Sequence, residues 1–153
     1  MKTAERNKGK SIICFPDDYV SFDLETTGLS PQYDEIIEVG AVKVHKGEIT
    51  DTFQSLVKPD VSISDFISNL TGITNDMVSS APKINEVIQK FRLFVGENIL
   101  VGYNVSFDIN FICEALLAAS EASLSNSYVD TLRIAKKLYP EMSHHRLEDV
   151  VKN

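Results

Sequence analysis

The chain has 153 residues, of which 43% are hydrophobic and 24% are charged. This length and composition predict one globular domain with a single buried core and exclude a disordered chain. No apolar run is long enough to span a bilayer, and the polar start of the chain is not followed by the apolar stretch of a signal peptide. We therefore expect a cytoplasmic protein that has no membrane partner.

The formal net charge is −7, and no block of lysine or arginine occurs beyond the N-terminal tail. Because affinity for phosphate backbones comes from basic patches, this charge counts against a passive DNA-binding module. It counts less against a site in which bound cations reverse the sign of an acidic pocket. Cys14 and Cys113 lack the spacing of metal ligands and predict no disulfide framework.

The first part of the chain predicts an antiparallel meander. A polar lead-in at 1–17 precedes a domain at 18–153, whose first strands we expect at 19–24, 36–44 and 49–57. β-Branched residues fill the second of these segments, and a tight polar reversal joins it to the third as a hairpin. The three strands therefore follow one another without a crossover.

The middle of the chain alternates between helices and a strand. Thr74 is placed to cap a short helix, and a longer helix with apolar residues at helical spacing begins at Pro82 and stops at Gly96. The apolar run 99–103 predicts a strand that is buried on both faces. Ser106 is then expected to cap a further helix.

The last part predicts a fifth strand at 128–130, a helix at 131–139 and the beginning of another helix at 145–151. An antiparallel meander followed by strand–helix alternation is typical of an α/β domain. We therefore expect a mixed five-stranded sheet, with parallel strands beside the meander and helices flanking it.

Two acids occur at the end of the first predicted strand. Side chains alternate between the faces of a strand, so Asp23 and Glu25 would project from one side and the apolar residues between them from the other. Adjacent carboxylates repel each other unless a cation or a proton lies between them. Acids on a solvated strand are common, but the carboxyl end of a strand is where open α/β sheets place their sites.

A third acid follows the buried strand at 99–103. Asp108 falls in the first turn of the next helix, where an aspartate also interacts favourably with the helix dipole. If the first and fourth strands are neighbours, Asp108 reaches the same edge of the sheet as Asp23 and Glu25. The dipole explains Asp108 alone, whereas a shared metal site explains all three acids.

Five segments, at 22–29, 37–41, 70–74, 102–108 and 130–132, resemble in this order the DEDDh exonucleases of the ribonuclease H-like superfamily. Within that family they are most similar to the proofreading exonucleases of bacterial DNA polymerase III. The resemblance covers roughly residues 18–153. It implies a ribonuclease H-like fold and a 3′→5′ exonuclease that acts on single-stranded or frayed 3′ ends of DNA, with DNA polymerase III subunits as partners.

The resemblance also implies the site residues. By position, Asp23, Glu25 and Asp108 would bind two divalent cations, Mg²⁺ or Mn²⁺, which clamp the scissile phosphate. Oxygen ligands suit these ions. Contacts to the terminal nucleotide would come from Thr26, Gly28, Leu29, Leu70, Ile73, Asn104 and Phe107. Phe107 can equally be a core residue of its helix.

The family also has a histidine general base and, five residues later, a fourth acid on a last helix. His144 and Asp149 have that spacing, but the segment 139–147 resembles the family's penultimate helix instead, and His144 follows Asp108 too closely. We interpret the pair as a chance match. The domain is then expected to lack its C-terminal catalytic helix and to be inactive or nearly so.

Two other functions are compatible with parts of the sequence. A phosphatase that forms an aspartyl-phosphate would use Asp23, but it needs a second aspartate where the chain has Glu25, and it leaves the segment 104–108 unexplained. A non-catalytic module associated with a polymerase would keep only part of the site. Metal binding and phosphoryl trapping distinguish these alternatives from an exonuclease.

Overall fold

The computed structural model of the protein describes residues 8–152. Its strands are β1 (Asp18–Thr26), β2 (Ile36–His45), β3 (Glu48–Leu56), β4 (Ile99–Gly102) and β5 (Tyr128–Asp130). In the described part of the chain they form one mixed sheet in the order β3-β2-β1-β4-β5. The predicted α/β class, the hairpin and the five-stranded sheet are confirmed.

The strand pairing brings the carboxyl ends of three strands to one edge of the sheet. β1 pairs antiparallel with β2, and β2 pairs antiparallel with β3. On its other side β1 pairs parallel with β4, which in turn pairs parallel with β5. Because β1, β4 and β5 run in the same direction, the residues that follow them meet at a common edge.

The helices are α1 (Asp65–Thr71), α2 (Asn75–Val78), α3 (Ile84–Val95), α4 (Val105–Ala118), α5 (Thr131–Leu138) and α6 (Leu147–Val151). Thr74 caps α2 by accepting a hydrogen bond from the Met77 amide, and Gly96 ends α3, as the sequence predicts. In residues 8–152 no helix has the length and apolar character needed to cross a membrane.

The helices differ from the predictions in two places. The sequence predicted no helix at 65–71, where the structure has α1; Ser64 caps it, and Gly72 ends it in the left-handed conformation. Ser106 does not cap α4, because the helix begins at Val105 and Asn104 is the capping residue, at φ 56°. Asparagine tolerates this left-handed conformation, which lets the chain turn directly from β4 into α4.

The core lies on one face of the sheet, under α3 and α4. Phe91 of α3 is fully buried and its ring contacts Phe22 of β1 and Phe53 of β3, at centroid distances of 5.4 and 5.8 Å. β4 is not buried on both faces as predicted, since Leu100 is buried but Val101 is only half-buried. The opposite face of the sheet is therefore partly open.

The N-terminal segment belongs to the folded domain. Its backbone pairs with β5: the Ile12 amide donates to the Tyr128 carbonyl at 2.9 Å, and the Tyr128 amide donates to the Lys10 carbonyl at 2.9 Å. The segment thus covers the edge of β5 that the sheet leaves unpaired. The lead-in at 1–17 stays a prediction, and its residues 1–7 lie outside the described residues.

Candidate active site

Asp23 and Glu25 lie on the open face of β1, opposite the core. Phe22 and Leu24 are buried on the core face, whereas Asp23 is exposed and Glu25 half-buried. Both acids line a cavity of about 830 Å³ on the open face of the sheet, which we call the acidic cavity. Its floor comes from β1, β2, β3 and β4, and Leu147 of α6 lies at its margin. The predicted common orientation of the two acids is present.

Asp108 approaches the same stretch of β1 from α4, although it does not line the acidic cavity. Its side chain is 4% exposed, and its Oδ1 accepts a hydrogen bond from the Leu24 amide at 3.2 Å. Leu24 lies between Asp23 and Glu25 in β1, so this bond places the third carboxylate beside the other two. The structure thus brings together the three acids that the sequence singles out.

Burial and neighbouring negative charges raise the pKa values of all three carboxylates. Burial, followed by the charge of Asp23, raises the pKa of Asp108 to about 7. Burial also raises the pKa of Asp23 and of Glu25, and for Glu25 the next largest cause is the charge of Asp23. A site that resists ionisation in this way gains stability when a cation or a proton neutralises it.

These side chains fit a divalent metal by their chemistry. All three donors are carboxylate oxygens, the ligands that Mg²⁺ and Mn²⁺ prefer. Within residues 8–152, however, no three acidic, histidine or cysteine side chains already have the spacing of a metal site.

Glu38 is the third carboxylate that lines the acidic cavity, and the sequence patterns did not single it out. It lies on β2 directly opposite Glu25, and its charge contributes to the raised pKa of both Asp23 and Glu25. The side-chain amide of Gln54 on β3 donates to Glu38 Oε1 at 2.9 Å. The sequence could have indicated Glu38, because it is the polar neighbour of buried Val39 in β2. The predicted hairpin places β2 in the same sheet as the acids of β1.

The loop after β1 is held by its own polar groups. The buried Thr26 hydroxyl donates to the Gly28 carbonyl at 2.6 Å, and Asp34 Oδ2 accepts from the Ser30 amide at 2.8 Å. A Cβ atom at Gly28 would collide with the Asp34 carboxylate, so this position requires glycine. Leu29 is 83% exposed. Thr26 and Gly28 therefore shape the loop, and Leu29 presents an apolar side chain.

The other predicted nucleotide contacts differ in exposure. Leu70 is exposed on α1, but Ile73 is 3% exposed and packs in a small second core beneath α1 and α2. Phe107 is half-buried, with its ring 5.0 Å from that of Phe111, and packs against the main core. Asn104 is exposed, and its backbone amide donates a hydrogen bond to Asp130 Oδ1 at 2.9 Å. The structure thus gives Ile73 and Phe107 packing roles.

His144 and Asp149 do not meet at the acids. His144 is exposed and lines a different cavity, beside Lys136 and Arg146. Asp149 is half-buried on α6. Burial and the charge of Asp130 raise the pKa of Tyr103, and the charge of Asp149 raises it further by a smaller amount. Neither side chain lines the acidic cavity.

A mixed sheet with three acids near the carboxyl ends of β1 and β4 is the arrangement that the resemblance to exonucleases implies. The sequence profile of the exonuclease family RNase_T matches residues 20–153. The chain belongs to this exonuclease family. The predicted resemblance is thereby confirmed.

Polymerases are among the relatives in sequence. The chain is 47% identical over 134 residues to a PolC-type DNA polymerase III of Bacillus cereus, covering 88% of this chain and 9% of the relative. It is 45% identical over 139 residues to the PolC-type DNA polymerase III of Clostridium perfringens, covering 91% of this chain and 10% of the relative. The chain thus spans about a tenth of the length of these relatives.

Solved exonucleases share the fold. Escherichia coli exonuclease I in complex with a dA16 oligonucleotide matches 90% of this chain and 36% of its own, with a TM-score of 0.78 and 20% identity. Exonuclease X in complex with 5′ overhanging duplex DNA matches 83% of this chain and 68% of its own, with a TM-score of 0.64 and 28% identity. The ribonuclease H-like fold is confirmed.

Proposed function

We propose that this chain is the metal-dependent 3′→5′ exonuclease part of a bacterial DNA polymerase III of the PolC type, acting in the cytoplasm as a proofreading domain. Its substrate would be the single-stranded or frayed 3′ end of DNA. The observation that carries the proposal is the hydrogen bond from the Leu24 amide to Asp108, which gathers this acid with Asp23 and Glu25. The relatives in sequence and the oligonucleotide-bound neighbour in structure support the choice of substrate.

The roles of the residues follow from their positions. Asp23, Glu25 and Asp108 would hold Mg²⁺ or Mn²⁺, and the bound ions would supply the positive charge that stabilises the scissile phosphate and activates water. Leu29 and Leu70, both exposed, present apolar side chains to the terminal nucleotide. The Leu24 amide fixes the position of the Asp108 carboxylate.

No histidine of the described residues lies at the three acids. The chain has three histidines, and none of them lines the acidic cavity in the described residues. His45 pairs with Asp18 at the β2–β3 turn, and the His145 ring contacts the Tyr139 carbonyl at 2.9 Å. We propose that this chain lacks the general base and the fourth acid, and that the loss of the base slows it by about 10²–10⁴-fold.

The test compares this chain with a longer polypeptide that continues beyond residue 153, using a 5′-labelled single-stranded DNA. Metal-dependent release of nucleotides from the 3′ end by the longer protein, with little or none by the chain itself, is expected. Equal metal-dependent rates would instead make His144 and Asp149 the active pair. The variant Asp23→Asn in the longer protein is expected to abolish hydrolysis.

A non-catalytic module is the second candidate, and the lack of a histidine at the acids of the described residues favours it. Calorimetric titration with Mg²⁺ and Mn²⁺ distinguishes the two functions. Binding that Asp108→Asn removes supports the exonuclease. No binding by the longer protein would support the module, and phosphoryl trapping on Asp23 would support a phosphatase.

A further inference from the structure

A second cavity lies beside the acidic cavity, and the two are lined by neighbouring residues of the chain. Its volume is about 350 Å³, and its lining comes from α5 and from the segment 143–146. Thr131 lines the acidic cavity and Leu132 the second one; in the same way, Leu147 lines the acidic cavity and Arg146 the second one. Adjacent residues of two segments thus separate the two cavities.

The lining of the second cavity is cationic. Lys136 of α5 and Arg146 lie on it together with Ser143 and His144, and no aspartate or glutamate of the described residues does. In the part of the chain that the structure describes, no ion pair involves Lys136 or Arg146. We call this site the basic cavity. It concentrates positive charge in a chain whose net charge is −7.

Helix stability alone does not explain this arrangement. A lysine in the last turn of α5 interacts favourably with the helix dipole, which accounts for Lys136. It does not account for Arg146 and His144, which come from another segment and line the same cavity.

That segment is held in place by two hydrogen bonds. The Tyr103 hydroxyl donates to the His145 carbonyl, and the His145 ring contacts the Tyr139 carbonyl at 2.9 Å. Since Tyr103 also lines the acidic cavity, one side chain connects the two sites. The basic cavity is therefore a structured site beside the acids.

We infer that the basic cavity binds the phosphodiester backbone of the single-stranded DNA whose 3′ end lies at Asp23, Glu25 and Asp108. This inference rests on the proposed function, since it makes the basic cavity the second contact of the same strand. Arg146 and Lys136 would contact a phosphate, and the His144 ring and the Ser143 hydroxyl would donate hydrogen bonds to its oxygens. His144 thus acts in substrate binding rather than as a general base.

The test measures binding without catalysis. A 5′-fluorescein-labelled single-stranded 12-mer is titrated with the chain in EDTA, and fluorescence anisotropy is followed at several salt concentrations. The double variant Lys136→Gln/Arg146→Gln is expected to bind about tenfold more weakly at low salt and to reduce the slope of log K against log salt by about 1.4. The control variant Lys46→Gln/Lys58→Gln removes the same charge from two exposed lysines away from both cavities and should bind like the wild type.

Equal affinity and equal salt slope in the two double variants would overturn the inference, as would the absence of salt-dependent binding by the wild type. If inorganic phosphate occupied the basic cavity and the DNA strand added nothing to binding there, the cavity would be a site for free phosphate. That result would also overturn the inference. Circular dichroism melting of each variant excludes misfolding as the cause of a loss. Failure of the proposed function is separate, because it appears as a lack of metal-dependent hydrolysis by the longer polypeptide while DNA binding by the chain in EDTA persists.

Discussion

Replacing Asp108 with asparagine should stabilise the metal-free protein at neutral and alkaline pH. The carboxylate is buried beside Asp23 and Glu25, and its pKa is raised to about 7. Asparagine keeps an oxygen that can accept the hydrogen bond from the Leu24 amide but carries no charge. The variant Asp108→Asn therefore removes the repulsion and preserves the contact.

The magnitude follows from the difference between the two pKa values. A pKa of about 7 in the folded chain, against 3.8 for an ordinary aspartate, corresponds to about 4 kcal/mol at 1.36 kcal/mol per pKa unit. Because the folded state binds this proton more tightly than the unfolded state, the contribution is fully present below pH 3.8 and is lost as pH rises through about 7. The free energy of unfolding should thus fall between about pH 4 and pH 8 and level off above.

The assay is urea denaturation in EDTA at pH 5 and pH 8. The wild type should be less stable at pH 8, and Asp108→Asn should remove most of that difference. In thermal unfolding at pH 8, the Tm of the variant should be higher by up to roughly 10 °C. Mg²⁺ should stabilise the wild type at pH 8 more than the variant. Asp149→Asn, outside the acidic cavity, is the matched control. A variant that keeps the wild-type pH dependence, or that is less stable at pH 8, would refute the reasoning.

Three further substitutions test neighbouring features. Glu38→Gln removes a negative charge from the acidic cavity and should weaken Mg²⁺ affinity a few-fold in a calorimetric titration; unchanged affinity would contradict this role. Gly102→Ala would place a Cβ atom 2.7 Å from the Val105 side chain of α4 and should lower the free energy of unfolding by about 1–3 kcal/mol. The control Gly40→Ala has open space around its Cβ position and should change the free energy of unfolding little. Tyr103→Phe loses a hydrogen bond to the α5–α6 segment and should cost about 1 kcal/mol in urea denaturation, but the exposed Tyr33→Phe should cost nothing measurable.

Local patterns in the sequence determined most of the elements. The alternation around Asp23 and Glu25 predicted a strand with both acids on one face, because side chains of a strand alternate whatever surrounds it. The reversal before β3 and the glycine after α3 are equally local signals. The helix α1 was missed although Ser64 and Gly72 mark its ends, since a seven-residue helix has too little apolar periodicity to indicate it.

Only the tertiary structure decided which distant groups meet. The parallel pairing of β1 with β4 brings Asp108 to Leu24, 84 positions earlier in the chain. The register of the hairpin places Glu38 opposite Glu25. The strand order also leaves an edge of β5 for the N-terminal segment, and the path of the chain after α5 directs His144 away from the acids and toward Lys136. Sequence spacing determines which side chains share a face of one element, whereas proximity between elements depends on strand order and packing, to which every part of the chain contributes.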